Sequence, residues 1–207
     1  QRAIYLIEEC NVRPESIFIA TFTEKAAKEL VTRITNELAN RNITANINEM
    51  YIGTFHSLCL RMLKEHLEYT RLRRNYRLMD SFDQQYMVFQ NIHRFRSIPE
   101  IEIVLPNGGA WKQAETICNF VNNLSEELVS PEELMSDHDP SIASLGRMLQ
   151  EYRTILTEAN LMDFSSIQIE AYRLLCDNEG ILNELRSAIT HIMVDEYQDT
   201  NYIQEQL

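Results

Sequence analysis

Two adjacent carboxylates, Asp195 and Glu196, close an apolar run in the segment HIMVDEYQDT at residues 191–200. A buried strand that stops on such a pair sets it at the strand's carboxyl end, where open α/β sheets bind their ligands. There Asp195 can hold a Mg²⁺ ion through its water shell, because Mg²⁺ sheds water reluctantly and takes one or two protein carboxylates beside phosphate oxygens. Glu196 is then free to orient or deprotonate an attacking water. Phosphoryl transfer asks a protein mainly for positioning and charge neutralisation, which these two roles supply. A hydrophobic run ending in Asp-Glu also suits a solvated acidic turn, so the pair alone does not decide. Successive strand residues point to opposite faces, which argues against both carboxylates gripping one ion as in an unrelated metal-dependent hydrolase.

The elements that would position this pair are legible. SIFIATF (16–22), MYIGTF (50–55) and THIMVDE (190–196) are short runs rich in β-branched or aromatic residues and read as strands of a sheet covered on both faces. After the first, Ala27, Leu30, Val31, Ile34 and Leu38 recur at helical spacing with Thr23 placed to cap. After the second, Leu58, Met62, Leu63 and Leu67 share a face. Strand then helix, twice, points to an α/β parallel sheet flanked by helices. From about 78 to 160 the pattern is helical, with one stripe of Trp111, Ala114, Ile117, Val121, Leu124 and Leu128 and another of Ile142, Leu145, Leu149, Tyr152 and Leu156. Ser130-Pro131-Glu132-Glu133 reads as a capping box with proline at the first helical position. Residues 98–109 read as a loop. The expected organisation is a first α/β part at 1–77, an inserted all-helical subdomain at 78–160, and a return to the α/β part at 161–207.

Composition narrows the function classes. The net charge of −12 over 207 residues argues against coating nucleic acid by bulk electrostatics, which rests on many Lys and Arg contacts to phosphate. A local cleft remains open: Arg61, Lys64, Arg71, Arg73, Arg74 and Arg77 stand against only Glu65 and Glu68, either as a solvated face or as a nucleic-acid backbone contact. Lys25 is similarly open between a phosphate contact and a solvated lysine. No apolar run approaches a membrane span, and no secretory pattern opens the chain. Cys10, Cys59, Cys118 and Cys176 lack zinc-ligand spacing and read as reduced, mostly packed thiols of a cytoplasmic protein.

The continuation past the acidic pair is the most specific feature. V-D-E-Y-Q-D-T (194–200) matches motif II, the Walker B element, of the UvrD/Rep/PcrA-like superfamily 1 DNA helicases. ATFTEKAAKEL (20–30) resembles their motif Ia, usually T-F-T-N-K-A-A, and GTFHSLCLRML (53–63) resembles the next motif, T-F-H-S. YRLMDSFDQ (76–84) and NLMDFSSIQ (160–168) resemble the stretches that open and close the family's inserted subdomain. These matches follow in the family's order and span nearly the whole chain, weakest between about 90 and 145.

The resemblance implies a RecA-like P-loop NTPase sheet, here incomplete, interrupted by the helical insertion. It implies ATP hydrolysis driving 3′-to-5′ movement on single-stranded DNA and unwinding at duplex junctions, in DNA repair or related work. Asp195 becomes the Mg²⁺-associated acid and Glu196 the catalytic base, with Gln198 in the same ATP-site motif, while Phe22, Thr54 and His56 become DNA contacts. An aromatic ring can stack on any base, which suits grip without sequence preference.

Two departures qualify this. Asp163-Phe164-Ser165-Ser166-Ile167 stands where the family usually has D-F-D-D-L, so any role of the later acids is missing. No Walker A loop, G-x-G-K-T or similar, occurs within the chain, and with it are missing the amides and lysine that cradle phosphates. The chain is therefore expected to be a piece of a larger helicase, with ATP and Mg²⁺ as cofactors of the complete protein, none held tightly by the piece, and no hydrolysis by it alone. The competing expectation is a catalytically inactive DNA-binding or protein-interaction module derived from a helicase.

Overall fold

The computed structural model describes residues 1–105 and 107–207. The chain begins with α1 (Arg2–Glu8), β1 (Ile17–Thr21), α2 (Glu24–Asn40), β2 (Tyr51–Thr54), α3 (Phe55–Glu65) and β3 (Arg77–Leu78). It continues with α4 (Ser81–Gln90), α5 (Ile92–Arg96), α6 (Ala110–Glu126), α7 (Pro131–Met135) and α8 (Pro140–Ala159). It closes with β4 (Leu161–Met162), α9 (Phe164–Asp177), α10 (Glu179–Ala188), β5 (His191–Val194) and α11 (Tyr202–Gln206). Two compact units result: Gln1–Thr70 with Glu170–Thr200, and Arg71–Ile169 with Asn201–Leu207.

In the first unit β1 is the middle strand of a parallel sheet ordered β2-β1-β5. The register runs from Phe18 opposite Tyr51 to Thr21 opposite Thr54, and from Ile17 opposite His191 to Ala20 opposite Val194. The alternation of β1 explains its two coats. Ile17 and Ile19 pack with Ala3, Ile4, Leu6 and Ile7 of α1 and with Ile34 and Leu38 of α2. Ala20 points the other way, onto Phe55 and Leu58 of α3, with Phe18, Tyr51 and Val194 beside them. Side chains of period two thus put one helix layer on each face.

Coverage on both faces fails at β5. Ile192 is 68% exposed, although its apolar run reads like that of β1. The stripe of α2 also differs: Ala27, Ile34 and Leu38 are buried, whereas Val31 is exposed.

The second unit is helical around Met87, Val88, Phe95, Ile117, Val121, Met148, Leu149 and Ile155. A short parallel ladder joins the two ends of the stretch expected to be helical, Arg77 opposite Leu161 and Leu78 opposite Met162. Two residues per strand carry no periodicity to read, so the sequence hid it. Trp111 does not join the core stripe of α6: it is 41% exposed and lies among exposed Phe82 and Phe89 at 5.9 and 5.5 Å between ring centroids. Ser130 caps α7 by accepting from the Glu133 N–H at 3.4 Å, but its hydroxyl donates to Glu132 at 2.7 Å and the reciprocal bond of a capping box is not formed. Within the expected loop at 98–109, Ile101–Ile103 make a 3-10 turn with Ile101 buried, and Pro106 lies outside the described residues.

This unit also holds a buried polar knot. Gln84 Nε2 donates to Asn122 Oδ1 at 2.8 Å, to Tyr152 Oη at 2.8 Å and to Asp163 Oδ2 at 3.1 Å, and the Tyr152 hydroxyl donates to Asp163 as well. The other oxygen of Asp163 accepts from the Ser166 N–H at 2.7 Å at the start of α9. A carboxylate only 3% exposed is thus supplied with donors, as a buried acceptor must be.

Among the described residues no helix is long and apolar enough to cross a membrane. The four thiols are free; Cys59 and Cys118 are buried and pushed up to about 12 by burial, while Cys10 and Cys176 are exposed, so only half are packed.

Candidate functional site

Parallel strands in register end together, and this brings three remote segments to one edge. Thr21 opposes Thr54, and Ala20 opposes Val194. The chain after β1 carries Phe22, the chain after β2 carries Thr54 and His56, and the chain after β5 carries Asp195 and Glu196. All belong to the first unit.

Both strand-to-helix turns are set by threonine. Thr23 takes an extended backbone and its Oγ1 accepts from the Ala26 N–H at 3.1 Å, starting α2. Thr54 does the same for α3, accepting from the Ser57 N–H at 3.2 Å. An N-cap of this kind satisfies one of the orphan donors of the first helical turn. Gly53 permits the second turn: a Cβ there would lie 2.3 Å from Ser57 Oγ, which itself donates to the Thr54 carbonyl at 2.9 Å.

Phe22 is 37% exposed, and its ring meets that of buried Phe55 at 5.9 Å with a 59° tilt. Phe55 therefore props the exposed ring from below. Its place inside T-F-H-S was the only sequence signal for this role. Thr54 is buried, and its hydroxyl is engaged twice, donating to Glu24 Oε1 at 3.2 Å while capping α3. Its contribution to the edge is to hold the two turns together. His56, second residue of α3, is half-buried, and burial pulls its imidazole below the usual value.

Asp195 continues the β5 pairing by donating its N–H to the Ala20 carbonyl at 3.0 Å, and its side chain is exposed. Glu196 then leaves the strand in the left-handed region, φ 52° and ψ 45°. Such a backbone is uncommon for a residue with a side chain and recurs at functional sites. It also means that the two acids do not simply alternate across the sheet. Residues 197–199 form a 3-10 turn, and Gln198 Nε2 donates to Glu196 Oε2, tethering that carboxylate. Among the described residues no three metal-ligating side chains cluster. A cation beside Asp195 would take most of its ligands from water and phosphate, a donor set that suits Mg²⁺.

The basic residues from Arg61 to Arg77 do not form one free surface. Arg61 is spent within the first unit: it pairs with Glu65 at 2.8 Å, donates to the Met50 carbonyl at 3.1 Å and lies over the Tyr51 ring at 3.9 Å. Arg77, in the second unit, pairs with Asp83 at 2.8 Å. Lys25 lines an open groove along α2 with Lys28, Glu29, Thr32 and Arg33.

A family model described as UvrD/REP helicase N-terminal domain matches residues 1–207. Among curated relatives, the ATP-dependent DNA helicase SRS2 of Saccharomyces cerevisiae is 32% identical over 98% of this chain and 18% of its own length. DNA helicase II of Haemophilus influenzae is 33% identical over 98% of this chain and 26% of its own. DNA helicase II of Escherichia coli is 29% identical, again over 98% and 26%. The chain thus spans roughly a quarter or less of the length of these relatives.

Proposed function

Since the chain belongs to the UvrD/REP helicase N-terminal domain family, we propose that it is part of the first, RecA-like motor domain of an ATP-dependent 3′-to-5′ DNA helicase. The insertion it carries, residues 78–160, corresponds to the helical subdomain of that motor. One observation supports this above the others: Phe22 and the Thr54–His56 turn on one side, and Asp195-Glu196 on the other, lie at the carboxyl ends of adjoining parallel strands. In that arrangement the nucleotide edge and the DNA edge are carried by the same three strands.

Glu196 orients and deprotonates the attacking water, and its tether to Gln198 limits the directions its carboxylate can take. Asp195 is the residue that would hold a Mg²⁺ ion, which would supply charge neutralisation toward the phosphates of a bound nucleotide. Phe22, propped by Phe55, offers its ring to a base of single-stranded DNA. No glycine-rich phosphate loop occurs within residues 1–207, so the chain by itself does not turn over ATP. In the complete helicase ATP and Mg²⁺ serve together, with single-stranded DNA and duplex junctions as substrates.

The test is made in the complete protein. Glu196→Gln nearly abolishes DNA-stimulated hydrolysis while ATP binding, read by a fluorescent nucleotide, stays within about twofold. Equal loss of binding and turnover would give the residue a structural role instead. Phe22→Ala weakens single-strand binding by roughly 1–3 kcal/mol, the scale of one stacked base; unchanged affinity removes it from the DNA edge.

A further inference from the structure

Glu24 is the first residue of α2 and stands two residues beyond Phe22. Its exposed carboxylate accepts the Thr54 hydroxyl at 3.2 Å. It therefore spans the starts of two neighbouring helices, α2 and α3, on the very edge assigned above to DNA. Helix starts present unsatisfied N–H groups and a partial positive charge. Two of them side by side would draw a backbone phosphate, and the carboxylate instead puts a full negative charge between them.

The hydrogen bond does not require that charge. An amide carbonyl at the same position would accept the Thr54 hydroxyl equally well. What the carboxylate adds is electrostatic: it cancels the field of the helix starts and repels phosphate beside Phe22. Lys25 follows immediately on α2 and Lys28 one turn later, both lining its groove, so adjacent residues of the first turn carry opposite signs.

We propose that the charge of Glu24 holds single-strand affinity down, keeping the DNA grip at Phe22 shallow and releasable. This rests on the assignment of that edge to DNA. Base stacking then supplies the hold, and Glu24 restricts the phosphate contribution next to it. A motor that advances along a strand must let go of each position it has gripped, and a built-in like charge lowers the barrier to doing so.

The experiment titrates fluorescein-labelled oligo(dT) with the complete protein and with its Glu24→Gln, Glu24→Lys and Phe22→Ala variants, each checked for native circular dichroism. Glu24→Gln keeps the acceptor for Thr54 and removes the charge. It should tighten binding about three- to tenfold at about 50 mM salt, the scale of one exposed charge pair a few Å apart. The gain should shrink as salt rises to about 200 mM. Glu24→Lys should tighten further and steepen the slope of log affinity against log salt by about 0.7, one phosphate contact on a single strand. Phe22→Ala should weaken binding throughout. If Phe22→Ala weakens binding while neither Glu24 variant tightens it, the inference about Glu24 fails and the DNA edge stands. If none of the three changes affinity, the edge itself is misassigned. Weaker binding by Glu24→Gln would overturn the inference by making the carboxylate a support of the site.

Discussion

Adding one methyl group at Gly53 tests how tightly β2 and α3 are joined beneath the proposed DNA edge. The new Cβ would sit 2.3 Å from Ser57 Oγ and 3.5 Å from Leu58 Cγ. The second distance is ordinary contact, so the conflict is with the hydroxyl alone. Serine can rotate away, but it then forfeits its 2.9 Å bond to the Thr54 carbonyl, a loss of about 1 kcal/mol. Residual crowding adds about 1 kcal/mol at the low end of overpacking. Against this, alanine in place of glycine restricts the unfolded chain and returns about 0.4–1 kcal/mol. Gly53→Ala should therefore destabilise by about 1–1.5 kcal/mol in urea unfolding.

The sign should reverse when the hydroxyl is removed. In a Ser57→Ala background, itself about 1 kcal/mol less stable, Gly53→Ala should cost nothing or stabilise slightly. The double-mutant cycle should thus show a coupling of about 1 kcal/mol or more. Additive losses would refute the reasoning, because they would mean that backbone, rather than Ser57 Oγ, resists the methyl group.

Two other outcomes follow from the same geometry. Tyr152→Phe strips the buried knot of a donor to Asp163 and an acceptor for Gln84; it should cost about 1.5–3 kcal/mol, the range for bonds to a charged group, and a loss below about 0.5 kcal/mol in urea unfolding would show that the knot does not hold the second unit together. His56 has a folded value lowered by burial, so the unfolded chain takes up its proton first as pH falls. The stability this residue contributes is whole above its unfolded value of about 6.5 and is lost as pH drops from there toward the lower folded value. Thermal melts at stepped pH should show that decline, and His56→Asn should flatten it; an unchanged slope would mean that His56 is not its source.

Much of the sheet could be read in advance because its physics is local. Ile17–Thr21 and Tyr51–Thr54 are short, largely apolar runs, and a threonine just after the first (Thr23) and at the end of the second (Thr54) caps the next helix, each step acting within a few residues. Ile192 and Trp111 resisted reading for one reason: periodicity tells which residues share a face, not whether anything covers it. The Gln84–Tyr152–Asp163 knot joins residues up to 79 positions apart, and its only trace in sequence was a tyrosine within an aliphatic stripe. Within the candidate site, residue type suggested the acidic pair Asp195-Glu196, whereas Phe22 was singled out only by the resemblance to motif Ia. The bond from Thr54 to Glu24 and the spending of Arg61 on Glu65 and Tyr51 depend on packing, which no spacing rule carries.

The left-handed backbone at Glu196 constrains how this position can vary. A residue with a Cβ pays on the order of 1–2 kcal/mol for that conformation, and glycine, and to a lesser degree asparagine, escape most of it. Replacements that relax the turn are thus those that discard the carboxylate, while β-branched residues both discard it and strain the chain further. If Glu196 activates water as proposed, folding and hydrolysis place opposite demands on this position. On the proposed role of Glu196, a lineage that no longer needed turnover would be expected to drift first here, toward glycine or asparagine.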